Sequence, residues 1–390
     1  MTPPRLPRSV LFVSHDAQLG GAQLSLVDEI VALSEAGVES HVIVPTKERW
    51  PQVLLPRLRA AGAVVHPGPI AYWVHRPGSP ARFLRTRARL ALPAAAKFTA
   101  GVARDVGAEV VVSNTGLPFS GAAGARQAGV PHGWFIRERL ARRDTVAAYD
   151  VARRGAFIVE HGHVLVMSEF MRDEVSAWCP PDKVHHVGAI VHMPKPMEDG
   201  ALDAAATAAP DTLCFPGGLQ AVKRPGDVID ALGLLRDEWP ELRLRISGHG
   251  DYPAVQAEFA ARAASVGVGD RVRISGFAPG NYWDGLGPGA IVVSAGVDET
   301  FGRVPVEAMA RGFLVVAADA AATPEVVRHE ETGLLFRGGD PASLAEQVLR
   351  LRDESLRAKL IRTAHDCVHQ AWTPDAFRAD FARAFAAMTS

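Results

Sequence analysis

The chain has 390 residues, enough for two domains of ordinary size. With 48% hydrophobic and 22% charged residues, its composition excludes a disordered tail, a collagen-like fibre and a coiled coil. A net charge of −1 gives no overall attraction to nucleic acid, and the three scattered cysteines, Cys179, Cys214 and Cys367, exclude a disulfide framework or a paired-cysteine zinc site.

Near the N-terminus the apolar run is only Val10 to Val13. A signal peptide needs roughly 7–15 apolar residues and a membrane span about 20, so a cytoplasmic location is expected. SVLFVS (9–14) reads as a buried strand, followed by a glycine-containing loop and an amphipathic helix over 22–36 that Gly37 stops. Strands follow at 40–45, 63–67, 109–114, 132–138 and 163–168. Strands separated by helical lengths predict parallel β-α-β units.

Residues 51–100 hold eight basic residues and no acidic one. In 76–104, Arg82, Arg85, Arg87, Arg89, Lys97 and Arg104 are interleaved with Phe83, Leu84, Leu90, Leu92, Phe98 and Val102. That mixture suits an anionic membrane surface, with peripheral placement on the inner face of the membrane. A solvated, Arg-rich helix pair divided at Pro93 is the alternative.

The stretch 194–211, rich in Pro, Ala, Gly and acid, reads as a linker, with 196–210 dividing a domain over 1–195 from one over 211–370. The alternation then restarts. Strands are expected at 211–218, 242–250, 271–277, 290–295, 313–319 and 333–340, and helices at 225–238, 254–266 and 341–350. The fold class is therefore α/β, with two consecutive doubly wound domains. Ligands of such sheets bind beyond the carboxyl ends of the strands, and a cleft between the two domains is the expected place.

Several residue groups carry chemistry. Gly20-Gly21 before a helix lets backbone N–H groups approach an anion closely, or simply makes a tight turn. DETFGRVPVEAMARG (298–312) holds two carboxylates, Glu299 and Glu307, around Phe301-Gly302-Arg303. A helix starting near Gly302 fits Pro305 in its first turn and puts Glu307 roughly 8 Å along the axis, about the offset from a diphosphate to its ribose. Carboxylates accept vicinal hydroxyls well; a capping acid and a solvated helix glutamate are the plain alternative. His15-Asp16 and Asn114, at strand ends, are acceptor-side candidates or ordinary loop residues. His161, His163, His185 and His186 lack a third-ligand spacing, and no metal or other cofactor is expected.

The Glu299-(seven residues)-Glu307 motif followed by Ala-Met-Ala resembles the signature of retaining glycosyltransferases of the GT-B fold, glycosyltransferase family 4. Gly20-Gly21, FPGGLQAVKRPGDVIDAL (215–232), SGHGDY (247–252), SGFAP (275–279) and Trp372 before a last helix match that family's motifs in order. The resemblance implies two Rossmann-like domains facing across a cleft, with the C-terminal segment 371–390 crossing back to the first. It gives Lys223 to the donor diphosphate, Glu307 to the ribose and Glu299 to the transferred sugar. Gly21 approaches the β-phosphate, the amides around Phe301, Gly302 and Arg303 hold phosphate or sugar oxygens, and Gly248 and the Gly276-Phe277 loop lie on the nucleotide side.

Two departures stand out. Gly218 replaces the family's arginine, with Arg224, Arg303 and Arg137 as candidate substitutes. Arg137 and Glu138 align where many relatives have a histidine, not His132. The resemblance implies transfer of a hexosyl unit, from a UDP-sugar more readily than from GDP-mannose. The acceptor hydroxyl belongs to a cell-surface glycan, a lipid-linked precursor or a small secondary metabolite. A sugar-nucleotide epimerase and an inactive nucleotide-sugar-binding homologue are the rival readings.

Overall fold

The computed structural model describes residues 4–46, 53–75, 81–140, 146–147, 149–248, 253–276 and 282–390. Its strands are β1 (Ser9–Val13), β2 (Glu39–Pro45), β3 (Val64–Gly68), β4 (Val74–His75), β5 (Val110–Ser113), β6 (His132–Phe135), β7 (Val146–Ala147), β8 (His163–Val166) and β9 (Val184–His186), then β10 (Thr212–Phe215), β11 (Arg243–Gly248), β12 (Val272–Gly276), β13 (Ile291–Ser294), β14 (Leu314–Asp319) and β15 (Leu334–Arg337). The chain forms two compact units: Met1–Ile190 with Trp372–Ser390, and Val191–Ala371.

The first unit is built on a seven-stranded sheet of order β3-β2-β1-β5-β6-β8-β9, every pair parallel. Val10 to Val13 are fully buried, as expected of a central strand covered by helices on both faces. β4 and β7 form a separate antiparallel pair. The C-terminal helix Pro374–Thr389 belongs to this unit. Thr373 caps its start, and it buries Phe377, Phe381 and Phe385. Asp380 accepts from the Gly188 N–H at 3.0 Å, and Arg378 donates to the Ala32 carbonyl at 2.9 Å. Each buried phenylalanine contributes roughly 1.5–3 kcal/mol.

The expected helix pair divided at Pro93 is instead one helix, Ala81–Asp105, with Pro93 inside it. An interior proline costs about 3 kcal/mol of helix stability. The helix offsets this by burying Leu84, Ala88, Ala95, Ala96 and Ala100, while Pro93 itself stays exposed. It packs so closely against the helix Ser120–Ala128 that a Cβ at Gly124 would lie 2.5 Å from Thr99. Among the described residues no helix is long and apolar enough to cross a membrane.

The second unit has a six-stranded parallel sheet of order β12-β11-β10-β13-β14-β15. The stretch read as a linker, 196–210, carries the helix Asp199–Thr207. Leu202, Ala205 and Ala206 join the core of this unit, and buried Arg357 donates to the Ala206 carbonyl at 3.1 Å. Alanine favours helix more than any other residue, and here the alanines also supply the buried face.

In both sheets the chain leaves the central strand in opposite directions, at β1 and β5 in the first and at β10 and β13 in the second. These switch points are where parallel sheets bind ligands. In the second, the loops after β10 and β11 touch. A Cβ on Gly248 would fall 1.9 Å from the Gly218 Cα, and Gly218 has φ +80°. Gly248→Ala is therefore expected to cost at least about 1–3 kcal/mol through overpacking, read as a lowered melting temperature.

Candidate functional site

In the second unit the site grows from the loops after β10 and β13. After Phe215 the chain turns through Gly217 and Gly218, and the Gly218 N–H donates to the Ser247 carbonyl at 3.1 Å. The 3-10 turn Ala221–Lys223 then leads through Arg224, in left-handed conformation (φ 60°), to Pro225 and the helix Pro225–Leu234. Arg224 pairs with Asp227 at 2.5 Å. Lys223 Nζ reaches across to Glu299 Oε1 at 2.5 Å. The Glu299 carboxylate lies over Gly296, where a Cβ would come within 2.6 Å of Oε1, so a side chain at 296 would displace it.

Buried Phe301 and Gly302 (φ 97°) lead into the helix Arg303–Met309. Glu307, only 6% exposed, is held on both oxygens: Oε1 accepts from Arg303 Nη2 at 3.1 Å, and Oε2 accepts from the Tyr282 hydroxyl. Arg311 Nη1 donates to the Glu307 carbonyl at 2.7 Å. Burial, and then the charge of Glu307, push the Tyr282 phenol far above its ordinary value, so it stays protonated and donates. Glu307 is thus no solvated helix glutamate. A buried carboxylate needs donors of this kind, and vicinal hydroxyls can replace them.

In the first unit the candidates gather at the carboxyl ends of β1, β5 and β6. Gly20 caps the helix Gly21–Glu35 with extended backbone; the first turn carries no acid, and nothing lies within 4 Å of a Cβ built on Gly21. Partly buried His15 has Thr115 Oγ1 at 3.1 Å and Gln23 Nε2 at 3.2 Å, and its carbonyl accepts from the Tyr72 hydroxyl at 2.8 Å. Burial first, then the Arg137 charge, lower the imidazole pKa to about 4 against the opposing pull of Asp16. Asp16 Oδ1 accepts from the Gln18 N–H at 2.9 Å, closing its own loop. Buried Asn114 donates to the Ala22 carbonyl at 3.0 Å.

Arg137, expected as a diphosphate or sugar contact, is buried and paired within the first unit. Its Nη2 bonds both oxygens of buried Glu29, at 2.6 and 2.8 Å, and its Nε bonds Asn114. The guanidinium also lies 4.2 Å from the Phe135 ring centroid. Glu138 follows it, near Gly116. Phe277 and residues 249–252 lie outside the described residues, as do 76–80 of the basic region.

Sequence reasoning missed Tyr282, Gly296 and Glu29. For Glu29 there was a signal: it sits three residues after Leu26 and four before Leu33, on the apolar stripe of its helix. No such pattern links Tyr282 to a glutamate 25 positions away. Of the histidines weighed for metal, His163 Nδ1 and His185 Nε2 are 2.9 Å apart, whereas the His161 ring stacks on Phe157. Among the described residues no three His, Cys, Asp or Glu side chains gather as a metal site.

A family model described as "Glycosyl transferases group 1" matches residues 205–366, within the second unit. A D-inositol 3-phosphate glycosyltransferase of Streptomyces scabiei is 34% identical over 182 residues, 42% of this chain and 40% of that protein. The protein of the same name from Streptomyces coelicolor is 36% identical over 176 residues, 40% and 37% of the two chains. The chain thus spans about two fifths of these curated relatives. Among solved structures, Anabaena HepE in complex with UDP-glucose superposes with a TM-score of 0.74 at 18% identity, covering 96% of this chain and 98% of that one. Two Rossmann-like units in this order, with the last helix returned to the first, make the GT-B fold.

Two outcomes follow from the first unit. Because the fold holds His15 neutral, its contribution to stability is complete above pH 6.5 and is lost as pH falls toward 4; an NMR titration of the ring is expected to give a midpoint near 4, not 6.5. Glu29→Ala leaves Arg137 buried without its ion-pair partner, and denaturant unfolding is expected to show a loss of about 3–5 kcal/mol.

Proposed function

We propose that the chain is a retaining glycosyltransferase, of the family 4 type, that moves a hexosyl unit from a nucleotide sugar to an acceptor hydroxyl. The observation that carries this reading is one cluster in the second unit. Lys223 is paired with Glu299, and Glu307 is buried with both oxygens bonded, all inside the stretch that matches the glycosyltransferase model. The complex of Anabaena HepE with UDP-glucose supports a UDP-sugar as donor.

In this reading Lys223 neutralises the donor diphosphate, Glu307 accepts from the ribose, and Glu299 accepts from hydroxyls of the sugar that moves. Gly21, Gly218, Gly248 and the amides near Phe301, Gly302 and Arg303 admit phosphate and sugar oxygens, while Arg224 adds positive charge. Negative charge grows on the departing diphosphate, and donors already in place stabilise it most where water is excluded. The leaving phosphate oxygen takes the acceptor's proton, so no enzyme nucleophile is required. A hydrolase pair would need both carboxyl groups on one glycosidic bond; here Glu307 lies on the ribose.

The relatives named for D-inositol 3-phosphate favour a small polyol acceptor. His15, Asp16 and Asn114, around the switch point of the first sheet, are its expected neighbours. The exposed face of the helix Ala81–Asp105 favours a second reading, a lipid-linked or cell-surface glycan acceptor reached at an anionic membrane. Phe83 and Leu90 are 59% and 76% exposed, and Arg87 and Lys97 lie on the same face at helical spacing. Each basic residue at such a surface contributes about 1 kcal/mol.

A lysine–phosphate pair 4 Å apart is worth roughly 4 kcal/mol at an effective dielectric of 20, so Lys223→Ala is expected to lower turnover at least several hundredfold. Glu307→Ala is expected to weaken nucleotide binding in calorimetry, and Glu299→Ala to reduce kcat with little change in nucleotide affinity. Wild-type behaviour of both glutamate variants would reject the site. Cosedimentation with phosphatidylglycerol vesicles at low salt, lost in Arg87→Glu/Lys97→Glu, separates the membrane reading from the polyol one.

A further inference from the structure

The Glu307 carboxylate accepts two hydrogen bonds, one from each side. Arg303 belongs to its own helix, one turn away, and its side chain is mostly buried with that of Glu307. Tyr282 comes from the segment ahead of β13, is only half-buried, and adjoins a firm anchor. Trp283 is buried, stacks on Phe313 with ring centroids 5.7 Å apart, and has the Arg311 guanidinium 5.2 Å from its ring centroid. The phenol of Tyr282 is thus the donor that reaches Glu307 from outside its own helix. It offers an O–H, the same kind of donor that a sugar hydroxyl offers.

We propose that Tyr282 is a specificity-determining residue of the nucleotide subsite: its hydroxyl occupies the acceptor oxygen of Glu307 that a ribose hydroxyl takes over, so a ligand enters by exchanging with it. The inference rests on the reading of Glu307 as the ribose contact. The exchange has two consequences. A ligand with ring hydroxyls replaces one donor by another and leaves the buried charge satisfied. A ligand without them has nothing to put in place of the phenol, since stripping a buried carboxylate of a donor is costly. Tyr282 therefore weakens binding of every ribonucleotide somewhat, while a ligand without ring hydroxyls leaves the phenol in place and loses nothing, so the residue sets how strongly the subsite prefers ligands with ring hydroxyls.

The test is calorimetric titration of the full chain with UDP, GDP and ADP, followed by the 2′,3′-dideoxy form of whichever binds. Tyr282→Phe keeps the ring and removes the hydroxyl; Tyr282→Leu removes both. With the competing hydrogen bond to a charged acceptor gone, both variants are expected to bind the ribonucleotide about tenfold more tightly, while the dideoxy ligand, which never displaces the phenol, binds as it does to wild type. Unchanged or weaker ribonucleotide binding in both variants overturns the proposal. So does an equal gain for both ligands, which would show a general loosening of the subsite. Glu307→Ala in the same titration keeps the two readings apart. If it binds the ribonucleotide like wild type, or if wild type binds none of the three nucleotides, the ribose role of Glu307 fails and the inference with it. If Glu307→Ala weakens binding but the Tyr282 variants do not strengthen it, the inference about Tyr282 alone fails.

Discussion

Every hydrogen-bonded pair in the two large sheets is parallel, so each strand must be followed by a crossover, and all strands of one sheet deliver their carboxyl ends to the same edge. Where the crossovers diverge, two neighbouring loops are forced apart and a crevice opens. His15 and Asn114 follow β1 and β5, and Gly218 and the loop with Glu299 follow β10 and β13. Residues 100 and 76 positions apart thus meet because of strand order. His15 beside Thr115 is one case, and Lys223 on Glu299 is another.

The charges at these edges obey one further rule, that a carboxylate or guanidinium taken out of water must be paired and hydrogen-bonded. Pairing has different consequences in the two units. In the first, Arg137 and Glu29 are both almost wholly buried, and each satisfies the other. Such a pair holds the loop after β6 against the helix after β1, and its charge helps keep His15 neutral. In the second unit Lys223 and Glu299 are more open. A pair of that kind exchanges partners at modest cost, which suits the ligand roles proposed for Lys223 and Glu299.

The strands were legible because their apolar runs are continuous, the mark of a strand covered on both faces. The helix Pro341–Arg350 was legible to the residue, since Asp340 accepts from the Ala342 and Ser343 N–H groups and Pro341 opens the first turn. The loop and helix around Glu299 and Glu307 were legible from Gly302 and Pro305. What failed did so where a local signal met a larger packing term. Pro93 signals a break, yet Leu84 and Ala88 before it and Ala95 after it bury in one core cluster. Pro194, Pro196 and Pro210 around 199–207, with Gly200 inside it, signal a linker, yet the alanines of that stretch have a core to enter. The ion pair of Arg137 was not legible, because its partner Glu29 lies 108 positions away. The bond from Tyr282 to Glu307 likewise depends on tertiary approach, and only the glutamate carried a motif.

The glycine that stands where the resemblance implies an arginine can be understood in the same terms. At Gly218 the backbone has φ +80°, a conformation that residues with a Cβ adopt only under strain. The Gly248 backbone is also in close contact with it. An arginine at 218 would need a different path for both loops, so on the proposed reading a further positive charge comes from elsewhere. Arg137 is sealed in the first unit, and Arg303 is buried on Glu307. Arg224 adjoins Lys223, its side chain is 35% exposed, and it pairs with Asp227, three residues away. A partly exposed pair of this kind is worth about 1 kcal/mol or less, far below the attraction of a diphosphate for two adjacent cations. On the proposed reading, Arg224 is therefore the arginine that can leave its partner for the donor at least cost, and the left-handed turn at Arg224 (φ 60°) is the strain that places it there.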